Sequence, residues 1–374
     1  MRIVTLKTSA GLRIALMFAA LTFLAGVGMV ERAPAQQNAE IEVVHVQGNI
    51  WLFGGVGSNV VASLGPDGVL LVDAGLDPQA PALLDAIGEL QRILDFGSAP
   101  APARFGGAEG LKTTPTYTRA PPKPIRYIMN THYHPDHTGG NQTLAASGIT
   151  YAGGNVAGSI NDADIGAAVY AHENTLFHMV DMDVPFRGLP TDTYYKEFYK
   201  LSHFFNGEGV RLIHQPNAHT DGDSLVHFPR SDVIVAGDIF LTTSYPIIDV
   251  DHGGHINGIV DSLNYILDLA IASFRMEGGT LIVPGHGRIS DSADVGYYRD
   301  MVTILRDHIQ IMISRDMSLE EIKAAQPTLG YDGRYGSDTG FWTTDDFVEA
   351  VYRNLTESPG SILYPGLAPY SSTF

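Results

Sequence analysis

The chain has 374 residues, of which 44% are hydrophobic, and a formal net charge of −18 at pH 7. It contains no cysteine, which excludes disulfides, thiolate metal ligands and a cysteine nucleophile. An acidic surface without a visible lysine or arginine cluster repels polyphosphates. Composition therefore argues against a nucleic acid partner and against nuclease or phosphodiesterase activity.

The first 35 residues have the pattern of an export signal. Basic residues up to Arg13 precede an apolar run from Ile14 to Val30, and Ala33-Pro34-Ala35 offers a small-residue cleavage site. We expect cleavage after Ala35, which leaves residues 36–374 as a single periplasmic or secreted domain with no stable membrane association. The alternative is an uncleaved membrane anchor, because the apolar run is near the lower length limit for spanning a bilayer.

Strand and helix patterns follow in the next part of the chain. Residues 41–72 are rich in β-branched side chains and predict a β-meander that ends at Asp73. Pro81 suits the first turn of a helix, and apolar residues follow it at helical spacing up to Ile93. We therefore expect a helix directly after the turn at Asp73.

Two stretches, 95–124 and 152–167, break these patterns and predict insertions within the domain. The first is rich in Pro, Gly, Ala and Thr, and the second is rich in Gly, Asn and Asp. We interpret the first as a flexible insertion, with a lid over the metal ligands as the alternative. Both lie near the candidate ligand loops in sequence and could shape specificity.

The most informative segment is Thr131–Asn141, which follows a predicted strand. It places His132, His134, Asp136 and His137 at H-x-H-x-D-H spacing. Alternate residues of an extended segment point the same way, so the first two histidines can meet one metal. The other two side chains lie beyond a turn and can meet a second metal. The spacing therefore predicts a site for two metal ions.

Three further candidate ligands follow apolar, strand-like runs. They are His219, Asp238, which is interpreted as ending the strand 233–237, and His286. Apolar strands that end in polar residues beside glycine are how a sheet places ligands at one rim. Seven side chains of ligand type in this order are hard to explain as a structural hydrogen-bonded cluster.

The remainder of the chain predicts helices and their caps. His172 lies where a strand could turn into a helix, and is expected to cap it. After His286, residues 297–313 have helical spacing, and Ser318 can cap the next helix. A last helix is expected within residues 341–355, with its cap near Thr343 or Thr344.

From residue 42 to residue 290, the order of these motifs resembles the metallo-β-lactamase-fold superfamily. Segments near Pro190, His219, Asp238 and Tyr245 are also similar to its exported, cyclase-like or metallo-hydrolase branch. The resemblance implies an α/β fold, a four-layer αβ/βα sandwich with helices on both outer faces. It also implies two zinc ions per chain.

The resemblance assigns a role to each candidate ligand. It places His132, His134 and His219 on the first zinc and Asp136, His137 and His286 on the second, with Asp238 bridging both. Asp73 matches the superfamily's early aspartate and would orient the ligand loop, although a plain turn-forming role before Gly75 is the alternative.

Two metals that share a water would lower its pKa toward neutrality, so the predicted reaction is hydrolysis by a metal-bridged hydroxide. Asp136 is the candidate for handling protons. A small molecule with a lactone, ester or amide carbonyl is the expected substrate. A β-lactam is an alternative that loses weight, because Leu241 stands where related lactamases carry a lysine. A mononuclear iron, persulfide dioxygenase-like oxidoreductase and a noncatalytic zinc carrier are further alternatives.

Residues after Asp238 are the candidates for substrate contact. The run from Phe240 to Ile248, which includes Tyr245, is either an apolar wall of the pocket or ordinary core packing. His252 and His255 follow closely enough to border the pocket, with a simple turn as the alternative. These choices remain open from sequence.

Overall fold

The computed structural model describes residues 3–5, 40–94, 99–100, 117–118, 122–149, 166–201, 203–271 and 279–357. The predicted meander is present as four antiparallel strands. They are β2 (Glu42–Gln47), β3 (Ile50–Gly54), β4 (Val60–Gly65) and β5 (Gly68–Val72). The short strand β1 (Ile3–Thr5) pairs antiparallel with β2.

Parallel strands extend this first sheet on the far side of β5. They are β8 (Ile125–Met129), β9 (Ala168–His172) and β10 (Asp192–Tyr194). The resulting order is β1-β2-β3-β4-β5-β8-β9-β10. Parallel strands end at the same edge of a sheet, so Asp73 after β5 and the histidine segment after β8 emerge side by side.

The second sheet contains five strands in sequence order. They are β11 (Phe198–Lys200), β12 (Arg211–His214), β13 (Ser224–Phe228), β14 (Val233–Leu241) and β15 (Leu281–His286). Only β14 and β15 run parallel. A separate pair consists of β6 (Ala99–Pro100) and β7 (Tyr117–Thr118).

Helices connect and follow the strands. On the first sheet's side they are α1 (Ala80–Leu94), α2 (Pro135–Thr138), α3 (Asn141–Ala146) and α4 (Glu173–Asp181). Later helices are α5 (Ile256–Leu269), α6 (Ser292–Ile313), α7 (Leu319–Ala324), α8 (Asp332–Tyr335) and α9 (Thr344–Thr356). Within the described ranges, no helix is both long and apolar enough to cross a membrane.

The fold has four layers, with an apolar cluster between each pair of neighbouring layers. Residues such as Leu70 and Val235 face each other between the two sheets. Leu71, on the opposite face of β5, belongs with Leu83 of α1 to a second cluster. Ile234, which adjoins Val235 in β14, belongs with helices α5, α6 and α9 to a third. Because neighbouring strand residues point to opposite faces, both sheets are covered on both sides, which confirms the predicted αβ/βα sandwich.

The helix predictions are confirmed, with one boundary corrected. Helix α1 starts at Ala80, and both Ser318 and Thr343 form capping boxes. Helix α6 begins at Ser292, five residues before the predicted start, because Asp291 accepts hydrogen bonds at its N-terminus. The predicted signal peptide lies outside the described residues apart from β1. The predicted insertions likewise lie mostly outside them.

His172 caps α4 as predicted, since its Nδ1 atom accepts the Asn174 amide at 3.3 Å. Burial, aided by the neighbouring His214 ring, lowers the pKa of His172 to about 3. The unfolded chain binds a proton at this residue below about pH 6.5, whereas the folded chain stays neutral. The free energy of unfolding therefore falls as the pH decreases from about 6.5 towards 3.

We expect His172→Asn to reduce this acid sensitivity, because asparagine can still cap the helix but does not titrate. Between pH 7 and pH 5 the wild type should lose about 2 kcal/mol more stability than the variant. Urea unfolding at both pH values measures the difference. Equal losses in the two proteins would show that His172 titrates normally in the folded state.

Candidate metal centre

The histidine segment lies at the junction of β8 and α2. The strand ends at Met129, and Pro135 begins the short helix that carries Asp136 and His137. Proline suits this position because N–H groups in the first turn of a helix have no partner within the helix, so the N–H that proline lacks is not missed. The segment therefore turns sharply after His134, as the spacing predicts.

Three other loops and strands bring their ligands to the same place. His219 lies between β12 and β13, and His286 is the last residue of β15. Asp238 does not end its strand as expected, because β14 continues to Leu241. Gly237 adopts a φ of 53°, and the pairing of β14 with β15 is irregular there. An irregularity of this kind redirects a side chain without ending the strand.

The first cluster contains His132, His134 and His219. Their Nε2, Nδ1 and Nε2 atoms converge, with His134 Nδ1 lying 3.1 Å from His132 Nε2 and 2.9 Å from His219 Nε2. One ligand atom from each residue fits within 4.8 Å of the others. The ring of His219 is fixed from behind, because its Nδ1 donates to the Ile247 carbonyl at 2.7 Å.

The second cluster contains Asp136, His137 and His286, whose ligand atoms also lie within 4.8 Å of one another. Asp136 Oδ2 is 3.1 Å from His286 Nε2 and 3.5 Å from His137 Nε2. Asp136 and His286 are partly exposed, whereas His137 is fully buried. The second cluster is therefore more exposed to solvent than the first, in which only His134 is partly exposed.

Asp238 faces both clusters. Its Oδ1 lies 3.2 Å from His137 Nε2 and 3.6 Å from His286 Nε2. Its Oδ2 points the other way and lies 3.9 Å from His219 Nε2. A carboxylate placed between two groups of nitrogen donors is suited to bridging two metal ions.

The donor atoms fit divalent metal ions. Among the described residues, His137 Nε2 and Asp238 Oδ1 are buried and have no hydrogen-bond partner, an arrangement that is costly unless a cation binds there. Burial lowers the pKa of His132 well below its usual range. Burial opposes ionisation of Asp238, but the facing His137 lowers the pKa of this carboxyl well below normal. Burial opposes protonation of His137, but Asp73 and Asp238 raise its pKa well above the usual range. Because neutral imidazoles and ionised carboxylates are the forms that bind zinc, a zinc ion would displace the His137 proton when it binds.

Asp73 supports the centre from behind. Its Oδ2 accepts a hydrogen bond from His137 Nδ1 at 2.8 Å, and its Oδ1 accepts the Thr131 amide at 2.7 Å. The Thr131 hydroxyl also donates to it. These contacts agree with the role of orienting the ligand loop, and the φ of 63° at Asp73 shows that the residue also makes the turn.

Sequence reasoning missed Asp249 and Tyr133. Asp249 Oδ2 lies 3.2 Å from His134 Nε2 and accepts a short hydrogen bond from the Tyr133 hydroxyl. The residue was visible only as part of the family-like segment near Tyr245, and no local spacing connects it to the histidine motif. Two features of Asp249 could have indicated its role: it carries a carboxylate, and it lies in a loop after Asp238.

Two of the predicted substrate contacts are corrected. Tyr245 is 1% exposed, and its ring stacks on Phe347 at 4.8 Å between ring centroids. Burial of its hydroxyl is possible because the Thr328 carbonyl and Asp332 accept hydrogen bonds from it. The neighbouring Phe240, Leu241 and Ile248 are buried in the same cluster, so this run is core and not a pocket wall.

His255 is also corrected, whereas His252 does border the centre. The His255 Nδ1 atom accepts the Asn257 amide and caps α5, which explains its position without a substrate. The side chain of His252 is 43% exposed, and its Nδ1 lies 2.9 Å from the Tyr133 hydroxyl. It remains a candidate for substrate contact.

Comparisons with known proteins agree with this fold. A family profile described as the metallo-beta-lactamase superfamily matches residues 51–286. No curated protein matches the sequence.

Solved structures with similar folds have low sequence identity. A double mutant of the sec-alkyl sulfatase PisA1 has a TM-score of 0.59 and 15% identity, over 89% of this chain and 53% of that one. The stereoselective inverting sec-alkylsulfatase Pisa1 from Pseudomonas sp. has a TM-score of 0.57 and 15% identity, over 87% and 52%. A metallo-beta-lactamase from Pontibacter korlensis has a TM-score of 0.47 and 14% identity, over 70% and 99%. The chain thus spans about half the length of the sulfatase chains.

Proposed function

Because the chain belongs to the metallo-beta-lactamase superfamily, we propose that it is a hydrolase that uses two zinc ions to cleave a small carbonyl compound. The observation that carries the proposal is the bridging position of Asp238. One of its oxygens faces His219, and the other faces His137 and His286. A single-metal site does not need a buried carboxylate with an acceptor atom directed into each of two donor clusters.

The alternative of a mononuclear iron oxidoreductase has less support. A third group of donors, His132, His137 and Asp238, lies between the two clusters and could hold a single ion. One ion there would leave the ligand atoms of His134, His219, Asp136 and His286 without a metal, so the full donor set fits two ions better than one. The donors are nitrogen and oxygen atoms only, a set that both zinc and non-haem iron accept, so metal analysis separates the two.

Bound zinc would supply a hydroxide at neutral pH and positive charge for the oxyanion that forms during hydrolysis. The protein's own groups then hold and move protons. Asp136 is 29% exposed and lies 3.1 Å from His286 Nε2, so it can reach both the centre and solvent. We propose that it accepts a proton from the attacking water and passes it to the leaving group.

The choice among carbonyl substrates rests on charge. Penicillin-type substrates carry a carboxylate that needs a cation, and the position where related lactamases have lysine is the buried Leu241. This residue offers no charge to a ligand, so we place a lactone, ester or amide ahead of a β-lactam. We also propose export to the periplasm or outside the cell, on the basis of the signal pattern in residues 1–35.

The test is hydrolysis by the purified, zinc-loaded protein of a lactone, an aryl ester, a thioester, a β-lactam and a secondary alkyl sulfate. The last compound is included because the sulfatase of similar fold is named for that bond. We expect turnover of a lactone or ester that falls at least about 10³-fold in His132→Ala, since the metal contributes several kcal/mol. Turnover that survives in this variant would contradict a metal-dependent reaction.

A further inference from the structure

The loop of residues 247–255, which we call the outer loop, contacts the imidazole rings of two residues in the first metal cluster. Its Ile247 carbonyl accepts a hydrogen bond from His219 Nδ1 at 2.7 Å. Its Asp249 Oδ2 lies 3.2 Å from Nε2 of His134. Since Nδ1 of His134 faces the cluster, its Nε2 carries the proton that is donated to Asp249. The outer loop thus fixes the outward nitrogens of two ligands in the same cluster.

Asp249 is itself held firmly. It accepts hydrogen bonds from the Tyr133 hydroxyl and from His252 Nδ1, the latter at 2.9 Å. Its backbone amide donates to the His219 carbonyl at 3.0 Å. The side chain is only 17% exposed, so little water competes for these contacts. A carboxylate fixed in this way can fix the ring that donates to it.

The second cluster has a different support. His137 Nδ1 donates to Asp73, which is buried and belongs to the turn after β5. Among the hydrogen bonds of the described residues, Asp73 contacts no imidazole of the three-histidine cluster, and Asp249 contacts none of the Asp136, His137 and His286 cluster. The Thr131 hydroxyl, which donates to Asp73, also lies 3.1 Å from Nδ1 of His132. Asp73 therefore reaches the three-histidine cluster only through Thr131, whereas Asp249 contacts a ligand of that cluster directly.

We propose that Asp249 is the positioning residue of the three-histidine site and sets its metal affinity separately from the Asp73-supported site. This inference rests on the proposed two-metal function. Asp249 orients His134 so that Nδ1 stays directed at the metal. The negative charge of Asp249 also makes the imidazole of His134 a stronger metal ligand. Loss of such a partner costs about 10–100-fold in metal affinity.

The test compares zinc binding by full chains that have been stripped of metal, titrated with zinc against a competing chelator. In Asp249→Asn and Asp249→Ala, we expect one of two binding steps to weaken about 10–100-fold and the other to stay within about threefold. Asp251→Asn is the matched control. It lies in the same outer loop and loses the same charge, but its partner is Arg353 at 2.8 Å, so both steps should match the wild type.

The affected site is identified in a His286→Ala background, which removes a ligand of the second cluster only. Asp249→Asn should weaken the zinc that remains bound there. Thermal unfolding of the metal-free proteins checks that the variants fold. Wild-type-like binding in both Asp249 variants, or equal weakening of both steps, would overturn this inference and leave the proposed function intact. A wild type that binds fewer than two zinc ions would overturn both.

Discussion

Replacement of Asp238 by alanine is expected to cause the largest functional loss, because this side chain faces both metal clusters. Its two oxygens lie 3.2 Å from His137 Nε2 and 3.9 Å from His219 Nε2. With the two proposed zinc ions bound, the substitution would remove a carboxylate that lies between the two clusters and would leave the repulsion between the two cations less compensated. We expect zinc content to fall to one ion per chain or fewer and hydrolysis to fall by about 10³-fold or more.

The isosteric Asp238→Asn variant separates charge from shape. It keeps the volume and one carbonyl-type oxygen, so the fold should be preserved while the second zinc is lost. Asp251→Asn, which removes an exposed carboxylate paired with Arg353, should retain both metals and full activity. Two zinc ions in Asp238→Ala would show that the clusters do not share this ligand.

The second large effect is expected from Gly285→Ala, which adds a single methyl group next to the centre. A Cβ atom at this position would lie 1.9 Å from Asp238 Oδ1 and 2.8 Å from the carbonyl carbon of Gly237. The second of these is a backbone atom, so the strands β14 and β15 must separate or Asp238 must turn away. Overpacking of this kind costs about 1–3 kcal/mol of stability. Displacement of the Asp238 carboxylate should also prevent this residue from serving both metal clusters as a ligand.

Gly296→Ala is the control for the glycine substitution. Gly296 lies in helix α6, where an added Cβ meets nothing within 4 Å. Alanine in a helix is favoured over glycine by about 0.5–1 kcal/mol, so this variant should be slightly more stable and retain both zinc ions. Urea unfolding and zinc content measure both variants, and a Gly285→Ala protein with two tightly bound zinc ions would disprove the steric argument.

The candidate ligands could be found from sequence because they lie close together in the chain or directly after apolar runs. The arrangement from His132 to His137 is local, and His219 and His286 follow apolar runs that form strands. Caps were predictable for the same reason, since His172 and Ser318 each contact a backbone amide two or three residues away. Local hydrogen bonds and strand ends leave a pattern that one sequence can reveal.

The missed and corrected residues depend on packing between distant segments. An apolar run such as 240–248 has the same sequence whether it lines a pocket or fills the core. Its place in the core depends on packing against a distant element, shown by the contact of Tyr245 with Phe347 of helix α9. Asp249 meets His134 across 115 residues of chain. Such a contact is set by how the outer loop returns over the sheet edge, which no local spacing specifies.

The most direct test of the account is the zinc content of the purified chain, measured by elemental analysis beside Asp238→Ala. Two zinc ions per wild-type chain, with one or none in the variant, are what the two clusters and the bridging position of Asp238 predict. A single iron ion per wild-type chain, whether or not the substitution removes it, would contradict the two-metal hydrolase and favour the mononuclear oxidoreductase.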